Sequence, residues 1–420
     1  MNMKRTIIAT LMALMCAVTF AQNAASDFTI GADGVITKYN GWDAAVVIPE
    51  TINGIRVTAI GNNAFASSDL TSVTIPNGVI SIGNEAFTSN KLTSVTIPDS
   101  VTSIGYRAFR NNQLASVTIP GNNVIIGSEA FASNPITNVT LGNNHALSSA
   151  DVVPKVNNNR SESSLYYDYA CNDRKAGTYT ANRAVAAEKT EADFKFIETQ
   201  YGAFITNYTG SSGNRLEIPA RLGNLSVKAI SGLNRKQISR VRIPDSVTYI
   251  GDSAFSENFG MTEITIPDSV TFIGEKAFYE NRGMTSVTIG NGVTYIGNNA
   301  FFRNRLTSVT IPDSVTYLSG FGNNQLTEIT IPNSVTIIGN GAFSGNRLTS
   351  VTIPDSVTTI KMGAFEGGLT SVTIGANVTL EISYHVSSFG SGFDDFYNNN
   401  GRAAGTYTRP DAYSRNWTKQ

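Results

Sequence analysis

Few residues in this chain have the chemistry of a catalyst, and their spacing argues against one. There are 2 histidines, His145 and His385, far apart and without the short spacing by which imidazoles share a metal. The 2 cysteines are Cys16 and Cys171; no partner motif surrounds Cys171, which reads as a partly buried spectator thiol. Aspartates recur at Asp99, Asp245, Asp268, Asp313 and Asp355, each directly after a proline. A carboxylate that returns once per repeat serves a turn, whereas glycosidic hydrolysis needs a pair converging at one place. No nucleophile elbow, His-Glu-x-x-His, phosphate loop or calcium-type repeat is present. The chain is therefore expected to be no enzyme, with no catalytic residue, metal or cofactor assigned.

Other residues are suited to recognition. Tyr249, Phe272, Tyr295 and Tyr317 occupy one position in four successive repeats, where the first half of the chain has Ser81 and Ser103. Tyr279 and Phe302 follow the Ala-Phe pair of two of these repeats, with Arg282, Arg303 and Arg305 close by. Rings on neighbouring repeats can simply pack on one another. Open to solvent, they would form a stripe for a protein segment or a glycan, since Tyr and Arg anchor interfaces at low entropic cost. The candidate ligand-binding set is thus Tyr249, Phe272, Tyr295, Tyr317, Tyr279, Phe302 and Arg303. A second column of Thr74, Thr96, Thr118, Thr140, Thr265, Thr288, Thr310, Thr330, Thr352 and Thr373 points outward. Strand propensity on a solvated face accounts for it, and its interruption by Glu217 and Arg242 argues against an ice-binding array.

These residues sit on a repeat. Leu92 to Gln113 reads LTSVTIPDSVTSIGYRAFRNNQ, and the next unit starts at Leu114; the spacing is mostly 22 or 23 residues, within the range of leucine-rich repeats. Val95 and Ile97 alternate with Thr96 and predict a short strand buried on one face. Pro98 ends the ladder because it has no N–H to donate. Val101 and Ile104 point back inward, Gly105 permits a bend, and Ala108-Phe109 closes the far wall. Asn112 falls where a side-chain amide can satisfy turn backbone groups. One such unit cannot bury enough surface alone, so the units must stack into a parallel sheet along one face.

The repeats form two tandem arrays. Ile36-Thr37-Lys38-Tyr39-Asn40-Gly41 is echoed by Ile205-Thr206-Asn207-Tyr208-Thr209-Gly210, and Gly177-Thr178-Tyr179-Thr180 by Gly405-Thr406-Tyr407-Thr408. Terminal units of a solenoid are atypical because they cover an open core. The expected organisation is a signal peptide over 1–21, a first capped array over 22–183, a linker over 184–193 with helical composition, and a second capped array over 194–420. Leu318-Ser319-Gly320-Phe321 shortens its repeat by two residues, and a kink is expected there.

Export is read from the N-terminus. Lys4 and Arg5 precede an apolar run from Ile7 to Val18, too short to span a bilayer, and cleavage is expected after Ala21. Met15 is a poor neighbour for lipoprotein processing at Cys16. Loss of Cys16 leaves no internal disulfide, so the repeat core must carry stability. Charged residues make up 15% of the 420-residue chain and the net charge is -1, against about 25% charged in an average domain. Nothing in that balance favours nucleic acid or an anionic membrane.

The pattern L-x-x-V-x-I-P-x-S-V-x-x-I-G-x-x-A-F resembles the BspA-like, or Treponema pallidum-type, leucine-rich repeats. The resemblance covers most of Ala59 to Leu141 and Ala229 to Ile374. It implies a leucine-rich-repeat solenoid of short parallel strands with irregular or short helical returns. It further implies an exported bacterial protein, surface-associated or periplasmic, that acts as an adhesin for host matrix proteins or other cells. The expected partner is an extracellular protein or glycan, bound by a monomer. The alternatives are a structural envelope protein without a specific ligand and, more remotely, a carbohydrate-active enzyme.

Overall fold

The computed structural model describes residues 23–122, 124–127, 129–142, 189–210, 215–381, 387–389 and 392–420, and the backbone of 146–147 and 177–180. The expected signal peptide, His145, Cys171 and His385 lie outside the described residues. The chain divides into two compact units, 1–142 and 143–420. Both are solenoids of short parallel strands, as the repeat predicts.

Where the spacing predicted one strand per coil, most coils contribute two. The first column holds the Val-x-Ile segments. Ala45–Val47 pairs with Ser72–Thr74, and Ser94–Thr96, Ser116–Ile119 and Asn138–Leu141 pair in order. The second column is made of two-residue strands that end on the Ile of Ile-Gly. In the first unit it runs through Ala59–Ile60, Ser81–Ile82, Ser103–Ile104 and Ile125–Ile126. In the second it runs unbroken from Leu225–Ile230 through Tyr249–Ile250, Phe272–Ile273, Tyr295–Ile296, Tyr317–Leu318, Ile337–Ile338 and Thr359–Ile360 to Thr379–Leu380. Two residues are too short a run to show alternation, which is why this column was hidden in the sequence.

Every apolar position of the repeat faces inward: Leu92, Val95, Ile97, Val101, Ile104, Ala108 and Phe109 are all buried. The Ala-Phe phenylalanines stack coil on coil, with ring centroids 4.9–5.3 Å apart from Phe65 to Phe131. They are 5.1–5.9 Å apart from Phe255 to Phe389. The returns are turns, not helices, because left-handed residues flank Ala-Phe on both sides, such as Arg107 at φ 54° and Asn111 at φ 57°. A helix cannot continue through either.

Buried backbone groups in these turns are met by an asparagine in each of most coils. Asn112 Nδ2 donates to the carbonyls of Phe109, 3.0 Å away, and of Phe87 in the preceding coil, 2.9 Å away. Its Oδ1 accepts from the Leu92 N–H at 3.1 Å. Asn90, Asn134, Asn258, Asn324 and Asn346 repeat the two donations. The Ser-x-Thr of each consensus turn works the same way: Thr271, Thr294, Thr316, Thr336 and Thr358 each donate to the carbonyl of the matching residue one coil back.

The shortened coil is absorbed on one side. The second column pairs straight through Tyr317–Leu318, and Gly320 takes the alanine position at φ 96°, where a Cβ would lie 2.7 Å from the Ala300 nitrogen. First-column pairing is what gives way, lapsing at 308–310 and 328–330. The same column also lapses between Ser72–Thr74 and Ser94–Thr96 and between Arg240–Arg242 and Glu263–Thr265, so the lapse is not peculiar to the shortened coil. Lys189–Glu191, expected to be helical linker, is instead an edge strand antiparallel to Phe194–Glu198. Its backbone finds partners there, so it belongs to the opening cap of the second array. The closing cap is helix α1, Phe393–Asn399, and the strand Gly405–Thr408, which pairs antiparallel with Ser371–Ile374. Arg409 is buried in it and donates to the Leu369, Ser414 and Gly367 carbonyls, where the coil has glycines instead of the ladder asparagine.

Asn112→Ala leaves the buried Leu92 N–H without its acceptor, while the Phe87 and Phe109 carbonyls each keep one donor, from Asn90 and Asn134, and it is expected to cost about 1–3 kcal/mol. Exposed Gln113→Ala is expected to cost under about 0.5 kcal/mol. Urea unfolding of the two variants beside the parent chain measures both.

Candidate functional site

The structure splits the aromatic candidates into two groups. Strand register stacks Tyr249 on Phe272, Tyr295 and Tyr317. Their rings are nearly parallel, with centroids 4.6–4.7 Å apart. All four are 0–5% exposed. Phe204 and Ile337 extend the column at its ends and are buried too. The Tyr317 hydroxyl donates to Asn298 Oδ1 at 3.0 Å, and burial pushes its pKa well above the usual phenol value. Rings packed face to face shield one another, so the solvent-open stripe that the sequence allowed is not formed by these four. They make a second apolar spine on the side of the strand opposite the Ile core.

Tyr279, Phe302 and Arg303 lie elsewhere, on the Ala-Phe edge. Tyr279 and Phe302 are half-buried and stack at 5.7 Å, 2° from parallel. The Arg303 guanidinium sits 5.5 Å from the Phe302 ring centroid. Three residues join them that the sequence reading had not selected as site residues: Phe259, Glu280 and Arg282. Phe259 is 54% exposed and has the Arg282 guanidinium 5.7 Å from its ring. Glu280 is mostly buried between the arginines, accepting from Arg303 Nη1 at 2.8 Å and from Arg282 Nη2 at 2.6 Å. The hydrogen bonds from Arg303, Arg282 and Tyr279 outweigh its desolvation and hold its pKa at about 2.

Coil length explains the position of this cluster. From phenylalanine to the next Leu or Met the usual count is five residues, as in Phe87 to Leu92. It is six from Phe255 to Met261 and from Phe278 to Met284. The extra residues close tight turns, with Met261 N–H donating to Asn258 O at 2.9 Å and Met284 N–H to Asn281 O at 2.8 Å. These turns carry Phe259 and Arg282. They also shift the asparagine ladder: Asn281 Oδ1 accepts from the Asn258 N–H, and Asn281 Nδ2 has no partner. The count was available in the sequence and was the missed signal.

The remaining candidates serve structure. Exposed Thr96, Thr265, Thr288, Thr310, Thr330 and Thr352 line the outer face of the first column. Asp268 Oδ1 accepts from the Asn291 N–H of the next coil at 2.7 Å, the turn role expected for the post-proline aspartates. Among the described residues no three His, Cys, Asp or Glu side chains gather as a metal site.

A solenoid built from a Val-x-Ile strand, an Ile-Gly strand and an Ala-Phe turn is a leucine-rich-repeat protein. Residues 55–152, 206–320 and 317–389 match the BspA type leucine rich repeat region, in 6 copies. The chain belongs to that family. No curated protein matches it. Among solved structures it is similar to a leucine-rich repeat protein from Eubacterium ventriosum, with 20% identity, 74% of this chain and 78% of that chain covered, and a TM-score of 0.26. The T. pallidum Leucine Rich Repeat protein has 17% identity, coverage of 67% and 89%, and a TM-score of 0.25. A leucine rich cell surface protein from Faecalibacterium prausnitzii has 20% identity, coverage of 81% and 89%, and a TM-score of 0.25. The family match carries the assignment and these likenesses add no weight to it.

Two measurements test the division of the aromatics and the charge of the cluster. Phe272→Ala is expected to cost about 3–5 kcal/mol as a buried cavity, and Tyr279→Ala much less, both read from urea midpoints. The Glu280 pKa is lowered in the fold from 4.5 to about 2, so its ion pairs stabilise above about pH 4.5, and that contribution is lost as the pH falls through about 2. Glu280→Gln lacks it. The gap in midpoint between parent and variant is expected to be full at neutral pH, to narrow below about pH 4.5 and to close near pH 2.

Proposed function

We propose that the protein is an exported, cell-surface interaction scaffold, an adhesin that binds a protein or glycan outside the cell through the Ala-Phe edge of its second array. On this reading it is not an enzyme. One observation carries it: exposed Phe259 and the half-buried Tyr279 and Phe302 gather beside Arg282 and Arg303, and such clusters of aromatic and Arg side chains concentrate binding energy at protein interfaces. Membership of the BspA-type family supports an interaction role. The charged and apolar segments of residues 4–18 support export, and no helix among the described residues is long and apolar enough to cross a membrane. The buried spine Tyr249, Phe272, Tyr295 and Tyr317 is assigned to rigidity of the scaffold.

The test is binding of residues 22–420 to an array of matrix proteins and glycans, beside a variant carrying Phe259→Ser, Tyr279→Ser and Phe302→Ser. The expected result is a hit lost in the variant while its circular dichroism is unchanged. A hit retained at full strength would move the site off this edge. An empty array would remove the adhesin reading in favour of a structural envelope role.

A further inference from the structure

The two arginines of the cluster are arranged for more than pairing with Glu280. That carboxylate spends both of its oxygens on them, one to each guanidinium. It is mostly buried, with its side chain 11% exposed, while the side chains of Arg282 and Arg303 are 62% and 53% exposed. Each guanidinium has five N–H donors in a rigid fork. One nitrogen of each is anchored inward, and the greater part of each fork stays at the surface. A buried anion thus fixes two cations of adjacent coils side by side, and each lies against a ring, Phe259 or Phe302.

The charge is unbalanced. Arg282 and Arg303 share a single carboxylate, Glu280. Neighbouring charges on the edge are already matched: Arg235 with Glu257 at 2.7 Å and Lys276 with Glu275 at 2.9 Å. The cluster therefore presents a net positive site on a chain whose overall charge is -1. The first unit gives a comparison. There Arg107 and Arg110 also share one carboxylate, Glu129, beside Tyr106. Their side chains are only 30% and 38% exposed, and no extra turn residue lifts them, so that version closes on itself.

We propose that the Phe259–Arg282–Glu280–Arg303–Phe302 surface takes an acidic polypeptide segment, whose carboxylates engage the two guanidiniums while an apolar side chain packs on Phe259. This deepens the proposed function and rests on it. A fork binds a carboxylate through two parallel hydrogen bonds, and the pair on adjacent coils can hold two carboxylates. A polypeptide fits better than an acidic glycan because the exposed ring is the phenyl of Phe259, and the one hydroxyl of the cluster, on half-buried Tyr279, is spent on Glu280. Arg beside an apolar ring is the usual composition of a protein-binding hot spot.

The experiment is calorimetric titration of residues 22–420 with a Glu/Phe copolymer peptide, poly-L-glutamate, poly-L-lysine and hyaluronate, at low and at physiological salt. The parent chain is expected to bind the Glu/Phe peptide most tightly, poly-L-glutamate less so, and poly-L-lysine not at all, with affinity falling as salt rises. Arg282→Gln with Arg303→Gln is expected to lose about tenfold or more, the scale of charge-assisted hydrogen bonds. Arg240→Gln, on the outer face of the first strand column, is the folded control and is expected to bind as the parent does. Equal affinity in the double arginine variant, or no saturable binding of either acidic peptide, overturns the proposal. Hyaluronate binding without peptide binding also overturns it and leaves the adhesin reading standing. That reading fails separately, when the array of matrix proteins and glycans stays empty.

Discussion

Buried asparagine amides carry the polar demand of this solenoid. A coil that turns sharply at Ala-Phe leaves carbonyls pointing into a region lined by phenylalanine rings, where no water can meet them. One side chain with two donors and an acceptor resolves this for its own coil and its neighbour together. Because each amide reaches back one coil, it ties the coils into a common register. The phenylalanine stack, the two strand columns and the hydroxyl row then follow at the same spacing. Where the chain ends this arrangement, it does so with a different donor: Arg409 puts a guanidinium on the carbonyls of a coil that has no ladder asparagine.

The candidate surface arises where that register is strained. Two coils hold six residues where most hold five, and the surplus cannot enter the core, so it turns outward with Phe259 and Arg282 on it. The asparagine beneath, Asn281, loses its donor bonds in the process. A departure from the repeat therefore has a cost inside and a new surface outside. Glu280 and Arg303 stand on left-handed turn positions, φ 52° and 57°, as their counterparts do in other coils. Their backbone conformation is part of the repeat, and only their side chains are particular to the site.

Much of this was legible from residue types. The apolar positions, the inward Ala-Phe wall, the post-strand proline and the service of Asn112 to turn backbone groups all follow from a repeat whose periodicity fixes which side chains meet. The second strand column did not, since two residues such as Ser103–Ile104 carry no alternation. The burial of Tyr249, Phe272, Tyr295 and Tyr317 did not either: alternation places them opposite Ile250, Ile273, Ile296 and Leu318, hence outward. Only the 4.6–4.7 Å stacking of adjacent rings shows that outward here is still interior. At the candidate surface, Tyr279, Phe302 and Arg303 were marked by type. Phe259 and Glu280 were not, because their significance lies in coil length and in a contact across coils 23 residues apart.

The lapse of first-column pairing at 308–310 and 328–330 has a mechanical meaning. In a solenoid the ladder bonds lie along the long axis, so tension applied along it loads successive interfaces in series, and the least-bonded interface sets the force at which the body parts. In the second array the coils flanking Gly320 keep their Ile-Gly strands, their stacked rings and their asparagines, but have given up the Val-x-Ile ladder. The same lapse separates Arg240–Arg242 from Glu263–Thr265, so the array under load would open at one of these interfaces before it opened where both columns are paired.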